Sequence, residues 1–355
     1  MKIVFVLGTK AQFIKSKYVL ANLIDHGFKI LIIDTGQHYE ITKEELKRSL
    51  KDFEYIKISN NTNNISKVSE MLFWFIKIIF KKEHNLNLNA EYCIIHGDTI
   101  STLIGLIWAK KNKLKIVHLE AGLRSFNFFK PFPEEIIRVI VSKYSDVLCI
   151  DNAKSEQNIN KYIKTKKIIK ISRNTIYDSV AFLLSNNTIL KNNVLSITIH
   201  RTENIYSKKR LFKLVDLIIE ISSRFDFDEI NWYCHDITKT ALKRNKLENI
   251  LQNNNVFLKD LLPHEEFICE LFKSRFVITD GGSIAEECSI LSISTIIWRD
   301  VIENYNYLNN NVILSEYDKS KIINFMKSAQ KEIKLEPISV GPSEEFVKNF
   351  IKIVI

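Results

Sequence analysis

The stretch that decides the fold is 94-IIHGDTISTLIGLIWAKKNKLKIVHLEAGLRSFNFFKPFPEEIIR-138. Two short apolar runs, Glu91 to Ile95 and Lys115 to Leu119, have the length of buried strands. Each ends on a polar, Gly-containing turn, His96-Gly97-Asp98-Thr99 and Glu120-Ala121-Gly122. An apolar segment of helical length joins them, so the unit reads β-α-β. In a doubly wound α/β sheet, ligands bind beyond the carboxyl ends of the strands. That puts Asp98 and Glu120 at such ends, with Glu134 following Pro133 where a helix should begin.

The same alternation runs outward from this unit in both directions. Ile3 to Leu7 and Lys29 to Ile33 read as strands, with a turn at Gly8-Thr9 and a helix from about Gln12. A weak third strand and an amphipathic helix at Ser66 to Lys82 precede the central unit, and Val147 to Ile150 and Lys167 to Ile171 close this half. The segment from Ser172 to Asn193 is the crossing point. A second series follows: Leu195 to Ile199, Glu229 to Cys234, Val256 to Leu258, Phe276 to Thr279 and Ser294 to Trp298. Strands alternating with helices mean a mostly parallel sheet. The expected fold class is therefore α/β, with two Rossmann-like doubly wound domains facing a central cleft. The expected boundaries are 1–172, 173–342 and a C-terminal helical segment 343–355, for which packing on either domain stays open, the N-terminal one included.

Composition narrows the function. With 355 residues, 46% hydrophobic and 26% charged, there is ample core for two domains. The net charge of +10 is spread through a Lys-rich chain, and the basic residues form no stripe interleaved with aromatics, so no nucleic-acid partner is expected. The five cysteines are far apart, without a CxxC pair, which argues for a reducing compartment and against a disulfide frame or zinc site. MKIVFVLGTK is a first strand, too short for a signal peptide, and Met71 to Phe80 is about half a membrane span. A cytoplasmic protein without a membrane span is expected. Gly8-Thr9-Lys10 is too short for a dinucleotide fingerprint, so neither a nicotinamide cofactor nor a metal is expected.

Each candidate residue has a chemical and a structural reading. Asp98 is a general base or an N-cap for the helix beginning near Ile100. A buried carboxylate such as Glu120 needs a partner. Glu134 serves as an acid/base group or, with Glu135, compensates a helix dipole, and Arg138, one turn on, pairs with Glu134. His200, followed by Arg201, suits a phosphate or general-acid role, or a structural one; His235 is a weaker parallel. Gly281-Gly282-Ser283 before a helix is a pyrophosphate cradle or a tight turn with a Ser N-cap. Glu287, one turn into that helix, is within reach of ribose hydroxyls.

The motifs HGDT, HLEAGLRS, PFPEEIIR, HRTEN, TDGGSIAEE and WRD, in this order, together with GTKAQFIK and TGQHYE, resemble the non-hydrolysing UDP-N-acetylglucosamine 2-epimerase family. The resemblance spans nearly the whole chain. It implies a GT-B-like fold with a nucleotide sugar held in the cleft, no cofactor, a homodimer, and a role in surface polysaccharide biosynthesis. It makes Asp98, Glu120, Glu134 and His200 catalytic. It assigns Lys10, Lys15, Arg138, His235, Gly281, Gly282, Ser283 and Glu287 to substrate or nucleotide binding. Gln37 and His38 match a region where some members bind a second, activating nucleotide sugar. The acid/base positions are intact, whereas the nucleotide-contacting motifs depart from the family: Lys10-Ala11-Gln12 replaces the usual RPE, Ile137 an Asn, Arg173 a Gly, Thr202 an Arg, and Asn304 the last Arg of RDTTER. The alternatives are a GT-B glycosyltransferase, a hydrolysing 2-epimerase and a non-catalytic nucleotide-sugar sensor.

Overall fold

The computed structural model describes residues 1–37, 43–59, 68–79, 89–128, 132–186, 192–302, 304–305, 307–328 and 340–354. The chain forms two compact units, Met1–Ser179 with Ile338–Ile355, and Val180–Pro337.

The first unit holds seven strands: β1 (Lys2–Leu7), β2 (Lys29–Asp34), β3 (Glu54–Lys57), β4 (Ala90–His96), β5 (Lys115–Leu119), β6 (Val147–Ile150) and β7 (Lys167–Lys170). All pair in parallel, in the order β3-β2-β1-β4-β5-β6-β7. β1 shows why the central strands are unbroken apolar runs. Ile3, Phe5 and Leu7 enter one hydrophobic cluster and Val4 and Val6 another, so both faces are covered. The C-terminal helix Pro342–Val354 belongs to this unit, where Phe346, Val347 and Phe350 lie in the same cluster as Ile3 and Phe5. Phe350 packs edge-on against Tyr92, ring centroids 5.4 Å apart. Ser179 ends the first segment of the unit, and its hydroxyl donates to the Ile14 carbonyl at 2.8 Å.

The second unit holds β8 (Val194–Thr198), β9 (Glu229–Tyr233), β10 (Val256–Lys259), β11 (Phe276–Thr279), β12 (Ser294–Ile297) and β13 (Val312–Leu314), also parallel, in the order β10-β9-β8-β11-β12-β13. β13 was not legible in the sequence: three residues are too few to show a period.

Both sheets therefore run outward in two directions from a central pair, β1 with β4 and β8 with β11. At such a reversal the flanking connections leave on opposite faces and open a crevice at the carboxyl ends of the strands. Gly8 and Asp98 follow the first pair; His200 and Asp280 follow the second. Among the described residues no helix is long and apolar enough to cross a membrane.

Candidate active site

In the first unit, Asp98 follows β4 but does not cap the next helix. Thr99 is the N-cap of Ile100–Lys111, in a capping box with Thr102. The carboxylate is left for another partner, the Arg138 guanidinium. Arg138 lies in the helix Glu134–Tyr144. It also reaches Glu135 Oε2 at 3.4 Å, so it pairs with Asp98 and Glu135, whereas the sequence had offered Glu134. An i,i+3 pair lies on one helix face just as an i,i+4 pair does. Glu134 opens that helix, at its positive end.

Glu135, read from the sequence as helix-dipole compensation, is a buried anchor. It accepts from Arg124 Nε at 2.5 Å, from the Ser125 N–H at 2.9 Å and from the Phe126 N–H at 3.1 Å. These bonds fix the loop after Glu120 against the helix carrying Glu134. Burial opposes the charge on Glu135, but the Ser125 amide and the Arg124 guanidinium outweigh it and hold its pKa below the ordinary value.

Glu120 follows β5 with a backbone φ of 62°, in the left-handed region that a side chain seldom occupies, a form of strain that clusters at functional sites. Gly97 is matched to it. Its own φ is 69°, and a Cβ there would lie 3.4 Å from Glu120 Oε2. Glu120 Oε1 accepts from Lys15 Nζ at 2.5 Å and from Asn174 Nδ2 at 2.7 Å. Lys15 comes from the helix Lys10–Asp25 after β1. Burial would raise the Glu120 pKa, yet the Lys15 charge, His96 and these two donors together pull it down to about 2. His96 and His118 line the floor, and desolvation lowers both to about 4, so both rings are neutral near pH 7.

The first turn of the unit is closed by its own side chains. Gln12, expected to open the helix, is instead its third residue. Its Oε1 accepts from Gly8 N at 3.0 Å and Thr9 N at 3.2 Å, and its Nε2 donates to the His96 carbonyl at 2.8 Å and to Thr102 Oγ1 at 3.1 Å. Lys10 is the first residue of the helix. Gln37 is buried and accepts from Ser101 Oγ at 2.6 Å, which gives it a structural partner. His38 lies outside the described residues.

In the second unit, Asp280 is the hub that sequence reasoning missed; it stood in view only as the residue before Gly281-Gly282. Fully buried, it accepts from the backbone N–H groups of His200 at 3.1 Å and Arg201 at 2.9 Å and from Asn204 Nδ2 at 2.9 Å. This ties the end of β11 to the turn after β8. His200 Nδ1 is 3.3 Å from Asp280 Oδ1, outside hydrogen-bond alignment. The ring packs against His235, centroids 4.7 Å apart. Desolvation lowers the His200 pKa, opposed by Asp280, which favours the neutral ring.

The helix Gly282–Ile290 has Gly281 as its N-cap, with no side-chain cap and no acidic residue in its first turn. Ser283 sits inside that turn, so the Ser N-cap reading is set aside. Among the described residues, a Cβ on Gly282 would meet only Tyr307 Oη, in ordinary contact at 3.7 Å. Free helix N-terminal N–H groups and the helix dipole together favour an anion. Glu287 is buried and paired with His264, Nε2 to Oε1 2.6 Å, a partner no sequence spacing announced.

A family model described as UDP-N-acetylglucosamine 2-epimerase matches residues 22–345. The chain belongs to that family. It is similar to the UDP-N-acetylglucosamine 2-epimerase of Methanocaldococcus jannaschii, 28% identical over 325 residues and 85% of each chain. It is also similar to the UDP-2,3-diacetamido-2,3-dideoxy-D-glucuronate 2-epimerase of Pseudomonas aeruginosa, 30% identical over 321 residues, 85% of this chain and 84% of the other. Among solved structures it resembles the M. jannaschii epimerase in complex with UDP-GlcNAc and UDP, TM-score 0.76 and 27% identity, covering 99% of this chain and all of that one. The epimerase family thus accounts for the two parallel α/β units. It leaves the part played by each side chain to be argued from chemistry.

Proposed function

We propose that the protein inverts C2 of UDP-N-acetylglucosamine, or of a close 2-acetamido relative, by eliminating and re-adding UDP. The observation that carries this reading is the pair of cation-held carboxylates, Asp98 with Arg138 and Glu120 with Lys15, at the carboxyl ends of β4 and β5. The C2 proton has no carbonyl beside it and is not acidic. Loss of the diphosphate from C1 solves this. The C2–H electron pair becomes the C1–C2 double bond of a 2-acetamidoglucal, the C1–O pair leaves with UDP, and the proton passes to a carboxylate. A second carboxyl group then protonates the opposite face of C2, and UDP adds back to C1.

Two faces need two proton-transfer groups. Asp98, Glu120 and Glu134 supply them; Asp98 is paired with Arg138, and Lys15 holds Glu120 in its ionised form. The leaving diphosphate is stabilised by the amides at Gly282 and Ser283, with Gly281 shaping the turn before them, its own N–H donating to Thr279 Oγ1 at 3.0 Å, and by His200. Glu287 meets the ribose, and Lys10 and His235 contribute to nucleotide binding. On this reading the enzyme works in the cytoplasm as a homodimer and supplies a sugar for surface polysaccharide.

Incubation with UDP-N-acetylglucosamine in D2O tests the proposal. Deuterium at C2, with appearance of the C2 epimer, is the expected result. Absence of exchange in both this sugar and the diacetamido uronate would overturn it; transfer of the intact sugar to an acceptor would favour a glycosyltransferase instead.

A further inference from the structure

Glu120 has a second carboxyl group close by. Asn174, in the segment after β7, is oriented by its own backbone: its Oδ1 accepts from the Ile176 N–H at 3.1 Å. Both amide hydrogens are therefore turned to carboxylates, Glu120 Oε1 at 2.7 Å and Asp151 Oδ2 at 3.1 Å. Asp151 follows β6 just as Glu120 follows β5, on the neighbouring strand. Its other oxygen accepts from Asn152 Nδ2 at 2.5 Å.

We propose that Asp151 is a positioning residue for Glu120: sharing the Asn174 amide, it holds that carboxylate in its left-handed turn and sets how readily Glu120 takes a proton. The inference rests on reading Glu120 as one of the acid/base groups.

The physical need is plain. Lys15, at 2.5 Å, makes Glu120 a weak base, yet a proton must end on it. A negative charge on a neighbouring carboxyl works the other way, because like charges favour the protonated form. The groups facing Glu120 are Lys15 from the first helix, His96 from β4, His118 from β5 and Asn174. Those facing Asp151 are Glu120, Lys15, Asn174 and Asn152. The two histidines are neutral near pH 7, and Asn174 and Asn152 carry no charge. Among the described residues, Lys15 and Asp151 are thus the charged or chargeable neighbours that tune Glu120 near neutrality. Burial, reinforced by the Glu120 charge, raises the Asp151 pKa. As pH rises through its titration, Asp151 gains charge and Glu120 becomes more basic.

Asp151→Asn keeps an acceptor for Asn174 and removes the charge. Asn174→Ala removes a donor from Glu120 and is expected to act in the opposite direction. Carboxyl 13C NMR of the full chain, with the two resonances assigned through Glu120→Gln and Asp151→Asn, should show the Asp151 midpoint falling by about 1 pH unit in Glu120→Gln, where the neighbouring charge is gone, and the Glu120 midpoint rising in Asn174→Ala. In wild type the acidic limb of kcat against pH should follow the Asp151 titration, and Asp151→Asn should lack that limb, with kcat near neutrality down roughly tenfold and KM little changed. An Asp151 titration unchanged in Glu120→Gln, or a kcat profile of Asp151→Asn that superimposes on wild type, would overturn the proposal. If wild type catalyses no C2 exchange, the functional reading fails, while the NMR titration still decides the coupling.

Discussion

The two sheets share a strand order and a reversal point, yet their crevices are finished in opposite ways. In the first unit, the helices after β1 and β4 both start with capping boxes, Thr9 with Gln12 and Thr99 with Thr102. Gln12 also ties one turn to the other. In the second unit, the helices Thr202–Ile205, Asp236–Arg244 and Gly282–Ile290 have N-caps Arg201, His235 and Gly281, none of which makes a side-chain cap bond. The first two carry an acidic residue in the first turn; the third does not. A helix start leaves four N–H groups to be satisfied. Where the chain satisfies them itself, the crevice presents carboxylates held by Lys15 and Arg138. Where it does not, the crevice presents donors for an anion. On the function proposed above, one topology yields an acid/base surface and a phosphate surface, and first-turn chemistry decides which.

Three substitutions test that division. The largest effect is expected from Asp98→Asn. The capping reading that would have made this change silent is gone, because Thr99 holds the cap. Turnover should fall by roughly two to four orders of magnitude with UDP affinity kept, as read by C2 deuterium exchange and calorimetry. Exchange at the wild-type rate would remove Asp98 from the acid/base set.

Gly282→Asp comes next. Among the described residues a Cβ here would meet only Tyr307 Oη, at an unstrained 3.7 Å, so a side chain is expected to enter without unfolding the protein, and its charge then occupies the anion position. UDP affinity should drop on the order of 100-fold, equivalent to about 2.7 kcal/mol, with the melting temperature nearly unchanged. Unaltered UDP binding would show that the open helix end is not the diphosphate site.

The smallest effect on ligand binding is expected from Gln12→Ala. It deletes a capping box and a link between two turns, and should lower stability by about 1–3 kcal/mol in denaturant unfolding while UDP affinity stays at the wild-type value. A Gln12→Ala protein with unchanged stability and weakened UDP binding would erase the contrast between the two crevices.

Much of this molecule could be read from the chain. β5, β6 and β11 coincide with apolar runs seen in the sequence, because strands buried on both faces carry little else. The turns holding Asp98, Glu120, His200 and Gly281 were visible as polar breaks after those runs. What escaped were partners that meet across long separations: Glu135 with Arg124 and two backbone amides, Asp280 with His200 and Asn204, His264 with Glu287, and Asp151 with Glu120 through Asn174. Several of these residues had a bland local reading, such as dipole compensation for Glu135, and none has a periodic signature.

The sequence by itself determined the alternation of strands and helices, the family, and the turns on which polar residues emerge, because hydrophobic period and turn chemistry are local properties of the chain. The tertiary structure decided which of those polar residues are occupied and which are available. Thr99 took the cap and released Asp98; Gln12 closed one helix start, while Gly281 left another open. Lys15, brought 105 positions along the chain to Glu120, holds that carboxylate ionised. A side chain's charge and availability depend on its desolvation and on the groups within a few ångströms of it, and folding alone chooses those neighbours.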